Sequence, residues 1–154
     1  MKQRVYIDTS VVGGYFDEEF AADTVPFFDC VKRGEMIILV SDLLEKELIK
    51  APAYVRDLLT TISSEYVEYV SSNTESDLLA DRYIEACVVG KTSRNDCQHI
   101  ALATLAKADV LVSWNFKHIV NLTRINGYNG INIVNGHKTI EIRTPKEIMN
   151  YENK

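Results

Sequence analysis

Cysteine is scarce in this chain and oddly numbered. Cys30, Cys87 and Cys97 include no C-x-x-C pair, which argues against a disulfide framework and against a thiolate zinc site. A reducing cytoplasm is the expected compartment, and there the sequon Asn121-Leu122-Thr123 has no consequence. Only 3 prolines and 7 glycines are spread over 154 residues, so no Pro/Gly-rich tract or low-complexity linker divides the chain. Long apolar runs are missing as well. "MIILV" and "VLV" fall far short of the ~20 residues that cross a bilayer. The opening "MKQRVYIDT" meets an acid too soon to read as a signal peptide. No membrane partner is expected. Positive charge is in deficit, with 17 Lys and Arg against 22 Asp and Glu, a formal net charge of −5. That balance argues against a protein that coats nucleic acid through bulk electrostatics. It leaves room for an enzyme that gathers divalent cations with its acids and places a few bases around a cleft.

What is present is an ordinary globular composition, 46% hydrophobic and 25% charged, at a length that suits a single domain over residues 1–154. Its period alternates. "VYID", "MIILVS", "YVEYVS", "DVLVSW" and "TIEIRT" read as strands. Helices are expected between them. One covers "DTVPFFDCVKRG", with Thr24 as cap, Pro26 in an early turn and Gly34 as the stop. A second runs from Ser41 or Asp42 through "LLEKELIKA", and a third follows Pro52. A fourth, "ESDLLADRYIEACVV", ends at Gly90, and a fifth, "NDCQHIALATLAKA", begins after Ser93. The Asn-Gly pairs of "NGYNGINIVNGHK" mark turns, so that segment reads as loop with only "INIV" as a further short strand. Alternation of this kind predicts an α/β fold, a mainly parallel central sheet with helices on both faces.

In open parallel sheets ligands bind outside the carboxyl ends of the strands. Asp8, Ser41 and Ser113-Trp114-Asn115 all fall at such ends. On the helix after the second strand, Glu47 lies roughly 40° from the centre of the Leu43, Leu44 and Leu48 stripe, and Glu45 about 120° away. Glu47 is therefore the inward acid. Asp96, Ile100 and Ala103 share one face of the fifth helix. Each acid also has a structural explanation: an Asx turn at Asp8, a lysine partner for Glu47, and a capping box Ser93-x-x-Asp96. Jointly, three acids at one sheet edge, without buried Lys or Arg to neutralise them, favour a hard cation. Mg²⁺ or Mn²⁺ takes oxygen ligands and activates water towards a phosphodiester.

The order "YIDTS", "SDLLEKEL", "NDCQHIALA", "VLVSWNFKHI", "IRTPKEI" resembles the PIN domain, the fold of VapC-type toxins and related ribonucleases, over residues 4 to 150. The resemblance implies a three-layer α/β/α sandwich and a metal-dependent endoribonuclease. Asp8, Glu47 and Asp96 match the metal-ligating catalytic acids, with Thr9 or Ser10 as the adjoining hydroxyl. It also implies an RNA substrate, a small antitoxin that blocks the site, and a homodimer. After the fourth strand the chain departs from the family pattern. Ser113 and Asn115 match polar positions, but His118 stands where a further acid is often found, which puts a two-metal site in doubt. His118 is read first as a solvated residue and second as a phosphate or water contact. His99 reads as packed or on the helix surface, and Trp114 as packed before it reads as a base-stacking platform. Lys91, Arg94 and Lys117, with Arg124, are the candidate phosphate contacts around the cleft, set against ordinary scattered surface charge. Two other functions compete. A haloacid-dehalogenase-type phosphotransferase requires a second acid two residues after Asp8, where Ser10 stands. A PIN-like domain that has lost catalysis and only binds RNA or a protein is motivated by Asn115 and His118.

Overall fold

The structure is a computed structural model that describes residues 1–152. It is an α/β protein in which five parallel strands, in the order β3-β2-β1-β4-β5, are flanked by helices in a three-layer α/β/α sandwich. The strands are β1 (Gln3–Ile7), β2 (Met36–Ser41), β3 (Val67–Val70), β4 (Val110–Val112) and β5 (Ile142–Arg143). The helices are α1 (Thr9–Gly14), α2 (Ala21–Lys32), α3 (Asp42–Leu48), α4 (Ala53–Asp57), α5 (Thr74–Glu85), α6 (Arg94–Leu105), α7 (Leu122–Val134) and α8 (Pro145–Glu152). Among the described residues no helix is long and apolar enough to cross a membrane.

Strand residues alternate between two cores because successive side chains leave a pleated strand on opposite faces. Val5, Ile7, Ile38, Val40, Val110 and Val112 pack on one face, with Phe27 and Phe28 of α2. Tyr6, Leu39, Leu111 and Ile142 pack on the other, with Tyr83, Ile100 and Tyr128 of α5, α6 and α7. Burial on both faces is why these strands read as unbroken apolar runs. The register sets Val5 beside Ile38 of β2 and beside Val110 of β4. β1 thus lies between β2 and β4, and the chain changes direction across the sheet at the β1/β4 boundary. The crevice beyond that boundary is where open parallel sheets accept ligands.

Several expectations change. "NGYNGINIV" is helical, part of α7, not loop and strand. Asn121 caps it through Arg124 N–H, and only Gly136, at φ +80°, follows its end as the glycine signal implies. Gly127 belongs inside the helix because a Cβ there would meet Val88 Cγ1 at 2.8 Å. α2 starts at Ala21, so Thr24 is no cap. Its buried hydroxyl donates to Phe20 O and accepts from Trp114 Nε1. Gly34, at φ +76°, does stop α2, and Glu35 N–H closes the turn on Cys30 O, a Schellman geometry. The last strand is reduced to Ile142 and Arg143, and α1, absent from the sequence reading, begins directly after Asp8.

Candidate active site

Three elements bring acids towards the β1/β4 crevice. Asp8 follows β1 and caps α1, its Oδ1 accepting from Val11 N–H at 3.3 Å and from Ser10 Oγ at 2.6 Å. Its Oδ2 accepts from Ser113 Oγ at 2.6 Å, from the end of β4. The ends of two adjacent strands, 105 residues apart in sequence, are joined through this carboxylate. Asp8 is only 4% exposed. Burial pushes its pKa up from the ordinary carboxylate value, against the pull of His99 and of the bonds from Ser10, Ser113 and Val11.

Glu47 reaches the site from α3, which is launched at the end of β2 by Ser41, whose Oγ accepts from Leu44 N–H. The helical phase is as expected: Glu47 is half-buried while Glu45 is exposed. Its partner is not a lysine. His99 Nε2 lies 2.6 Å from Glu47 Oε1. Burial works against the Glu47 carboxylate, but the hydrogen bond and charge of His99 outweigh it and hold the pKa below its usual value.

Asp96 lies in the first turn of α6, and the capping-box alternative is not formed, because Ser93 makes no side-chain cap bond. The carboxylate turns to the loop after β4 instead. Asn115 Nδ2 donates to Oδ1 at 3.2 Å, and His118 Nδ1 lies 3.3 Å from Oδ2. Burial raises the Asp96 pKa, the charges of His118 and His99 oppose that, and the charges of Asp8 and Glu47 add to it. The three acids therefore stand within electrostatic reach of one another.

The loop Ser113 to His118 is a small scaffold. Ser113 Oγ accepts from Asn115 N–H at 2.9 Å, and Asn115 Oδ1 accepts from His118 N–H at 2.9 Å. Ser10 Oγ accepts from Trp114 N–H at 2.9 Å and lies 3.4 Å from Ser113 Oγ. Trp114 is buried, stacked on Phe20 with ring centroids 4.5 Å apart. It is a core residue rather than a platform for a base. Thr9 Oγ1 is the one buried side-chain oxygen or nitrogen among the described residues without a hydrogen-bond partner, although it lies near enough to Glu47 to help lower its pKa.

A cleft of about 650 Å³ opens beside Thr9 and Glu47. Its walls carry Lys46 and Lys50 of α3 and Asn95 and Gln98 of α6. The bases expected from sequence are not among the residues that line the cleft. Arg94 is ion-paired with Asp81, while Lys91 and Lys117 are exposed on the turn before α6 and the loop after β4.

The donor set is oxygen-rich and suits Mg²⁺ or Mn²⁺, with the unpartnered Thr9 hydroxyl beside it. Among the described residues no three His, Cys, Asp or Glu side chains are grouped tightly enough to grip an ion together. Mg²⁺, which keeps several of its waters, fits a wider arrangement of carboxylates than zinc does. No protein-family model matches the chain, and no curated protein matches its sequence.

Proposed function

We propose that this chain is a divalent-metal-dependent endoribonuclease of the PIN type. The observation that carries the reading is that the loop after β4 holds two acids from different elements, Ser113 donating to Asp8 and the neighbouring Asn115 to Asp96, with Glu47 of α3 beside them at His99. Buried or half-buried carboxylates without a basic neighbour for each are costly unless something neutralises them.

Asp8, Glu47 and Asp96 would hold the ion, Mg²⁺ or Mn²⁺. Bound there, it would supply Lewis acidity and charge neutralisation at a phosphodiester. The chain's own residues do the rest. Ser10 and Ser113 fix the Asp8 carboxylate from two sides, and Asn115 and His118 fix Asp96. Thr9 offers a hydroxyl to a water or to a phosphate oxygen. Lys46 and Lys50 border the adjoining cleft, where a polyanion would pass. An antitoxin partner and a homodimer are proposed on the resemblance alone.

The second reading is a binding module without catalysis. It is favoured by the loose grouping of the acids and by His118, a base beside Asp96 in place of a further acid. Calorimetric titration of Mn²⁺ into metal-free protein separates the two. The nuclease reading expects saturable binding that is lost in Asp8→Asn and Asp96→Asn while their circular dichroism is unchanged, and cleavage of RNA lost with it. Wild-type protein that is folded and binds no Mn²⁺, with or without RNA, supports the binding module instead.

A further inference from the structure

Behind the acids lies a buried chain of polar groups that the proposed chemistry does not use. His99 of α6 is 3% exposed. Its Nε2 is 2.6 Å from Glu47 Oε1, and its Nδ1 is 2.7 Å from the Tyr6 hydroxyl. Tyr6, fully buried in the middle of the sheet, donates onward to Ser41 Oγ at 2.9 Å. Ser41 in turn accepts from Leu44 N–H, the cap that starts the helix carrying Glu47. The two ring nitrogens of His99 thus bridge the Tyr6 hydroxyl and the Glu47 carboxylate.

Two features set this apart from a core histidine that has merely found partners. The chain is closed, because Ser41 anchors both its inner end and the helix from which Glu47 projects. Glu47, on a seven-residue helix near the surface, is thereby referred back to the rigid sheet. His99 also faces more than its partner. It spans from Glu47 of α3 to Tyr6 of β1, whose ring it meets edge-on with centroids 5.7 Å apart, so the imidazole ties the helix to the sheet.

We propose that His99 is the positioning residue of the acid site: held by Tyr6 and Ser41, it fixes Oε1 of Glu47 and leaves Oε2 for a cation. The inference rests on the metal reading for its purpose but not for its geometry. Hydrogen-bonded outer partners of this kind orient metal ligands, and their loss typically weakens metal affinity about 10- to 100-fold.

The test uses the full chain in two states. With Mn²⁺, His99→Leu is expected to weaken binding about 10- to 100-fold, while His99→Gln, which keeps an N–H for Glu47, recovers most of it. Tyr6→Phe, which removes only the hydroxyl that aligns Nδ1, is expected to give a smaller loss in a folded protein and serves if His99→Leu does not fold. A purely structural His99 would lower the melting temperature without changing the Mn²⁺ affinity of folded protein. Wild-type affinity in His99→Leu, or equal weakening by Leu and Gln, overturns the proposal. Without metal, thermal melts of His99→Leu, Glu47→Ala and the double variant, each of which removes the bond, form a cycle. Shifts smaller in the double than the sum of the singles support the pair, and additive shifts refute it. If wild-type protein binds no Mn²⁺, the metal reading fails and this cycle alone decides the role of His99.

Discussion

Ser113→Ala is a sharp probe of whether Asp8 is a charged group held by the fold. The hydroxyl is fully buried, donates to Asp8 Oδ2 at 2.6 Å and accepts from Asn115 N–H at 2.9 Å. Alanine removes one hydrogen bond to a carboxylate, about 1.5–3 kcal/mol, and leaves an N–H short of its partner, about 1 kcal/mol near the surface. A loss of about 3 kcal/mol corresponds to a fall of about 6–12 °C in melting temperature for a chain of this size. Repeated in an Asp8→Asn background, the same substitution removes only a bond between neutral groups, and its cost should drop by about 1–2 kcal/mol. Urea titrations of the four proteins, metal-free and at neutral pH, measure both numbers. Equal cost in the two backgrounds would refute a charged Asp8 held by Ser113.

Gly14→Ala should cost about 1–3 kcal/mol through overpacking, since a Cβ there would meet Trp114 Cδ1 and Nε1 at 2.8 Å. Trp114 is the sole tryptophan, so an unchanged emission spectrum would count against that contact. Asn73→Ala removes the capping box between Asn73 and Ser76 at the start of α5 and should lower stability by about 1 kcal/mol in a urea melt. For Asp8, a pKa raised in the folded state means that the folded protein holds a proton the unfolded chain has released. That contribution is complete below about pH 4, where unfolded Asp is protonated, and is lost as pH rises through the raised value. The stability of metal-free Asp8→Asn relative to wild type should therefore increase from pH 4 towards neutrality. A relative stability that decreases over that range would contradict the direction assigned to Asp8.

The sheet was legible because each central strand is covered on both faces and so shows as a continuous apolar run. The acid edge followed from where those runs stop. Glu47 could be told from Glu45 because helical phase is a local property, and the structure keeps the two apart as phase requires. α7 was illegible for the opposite reason. Its Asn-Gly pairs signal turns locally, yet tertiary partners override them. Asn132, fully buried, accepts from Tyr83 and donates to Thr104, and Asn129 bonds both backbone groups of Ile140. The Asn121 cap was the available local signal. From sequence His99 reads as packed or on the helix surface, but its role depends on Tyr6, 93 residues away, and no spacing rule links them. Arg94 likewise looked available until the fold set Asp81 beside it.

Asp8 also shows why its two explanations do not compete. The cap of α1 and the bonds from Ser10 and Ser113 use both carboxylate oxygens, so the turn is what orients the group. A cap alone requires no charge, because Ser and Asn cap as well as Asp does. A carboxyl group at 4% exposure, raised in pKa by that burial and set near two further acids, is a poor choice for stability. Asp96 repeats the pattern, since it forgoes the box with Ser93 and faces the same crevice. Charges retained where a neutral residue would fold as well are expected where function and stability conflict. That conflict gives Asp8→Asn a distinctive double signature: a metal-free protein at least as stable as wild type near neutral pH, and a protein that has lost its Mn²⁺ binding.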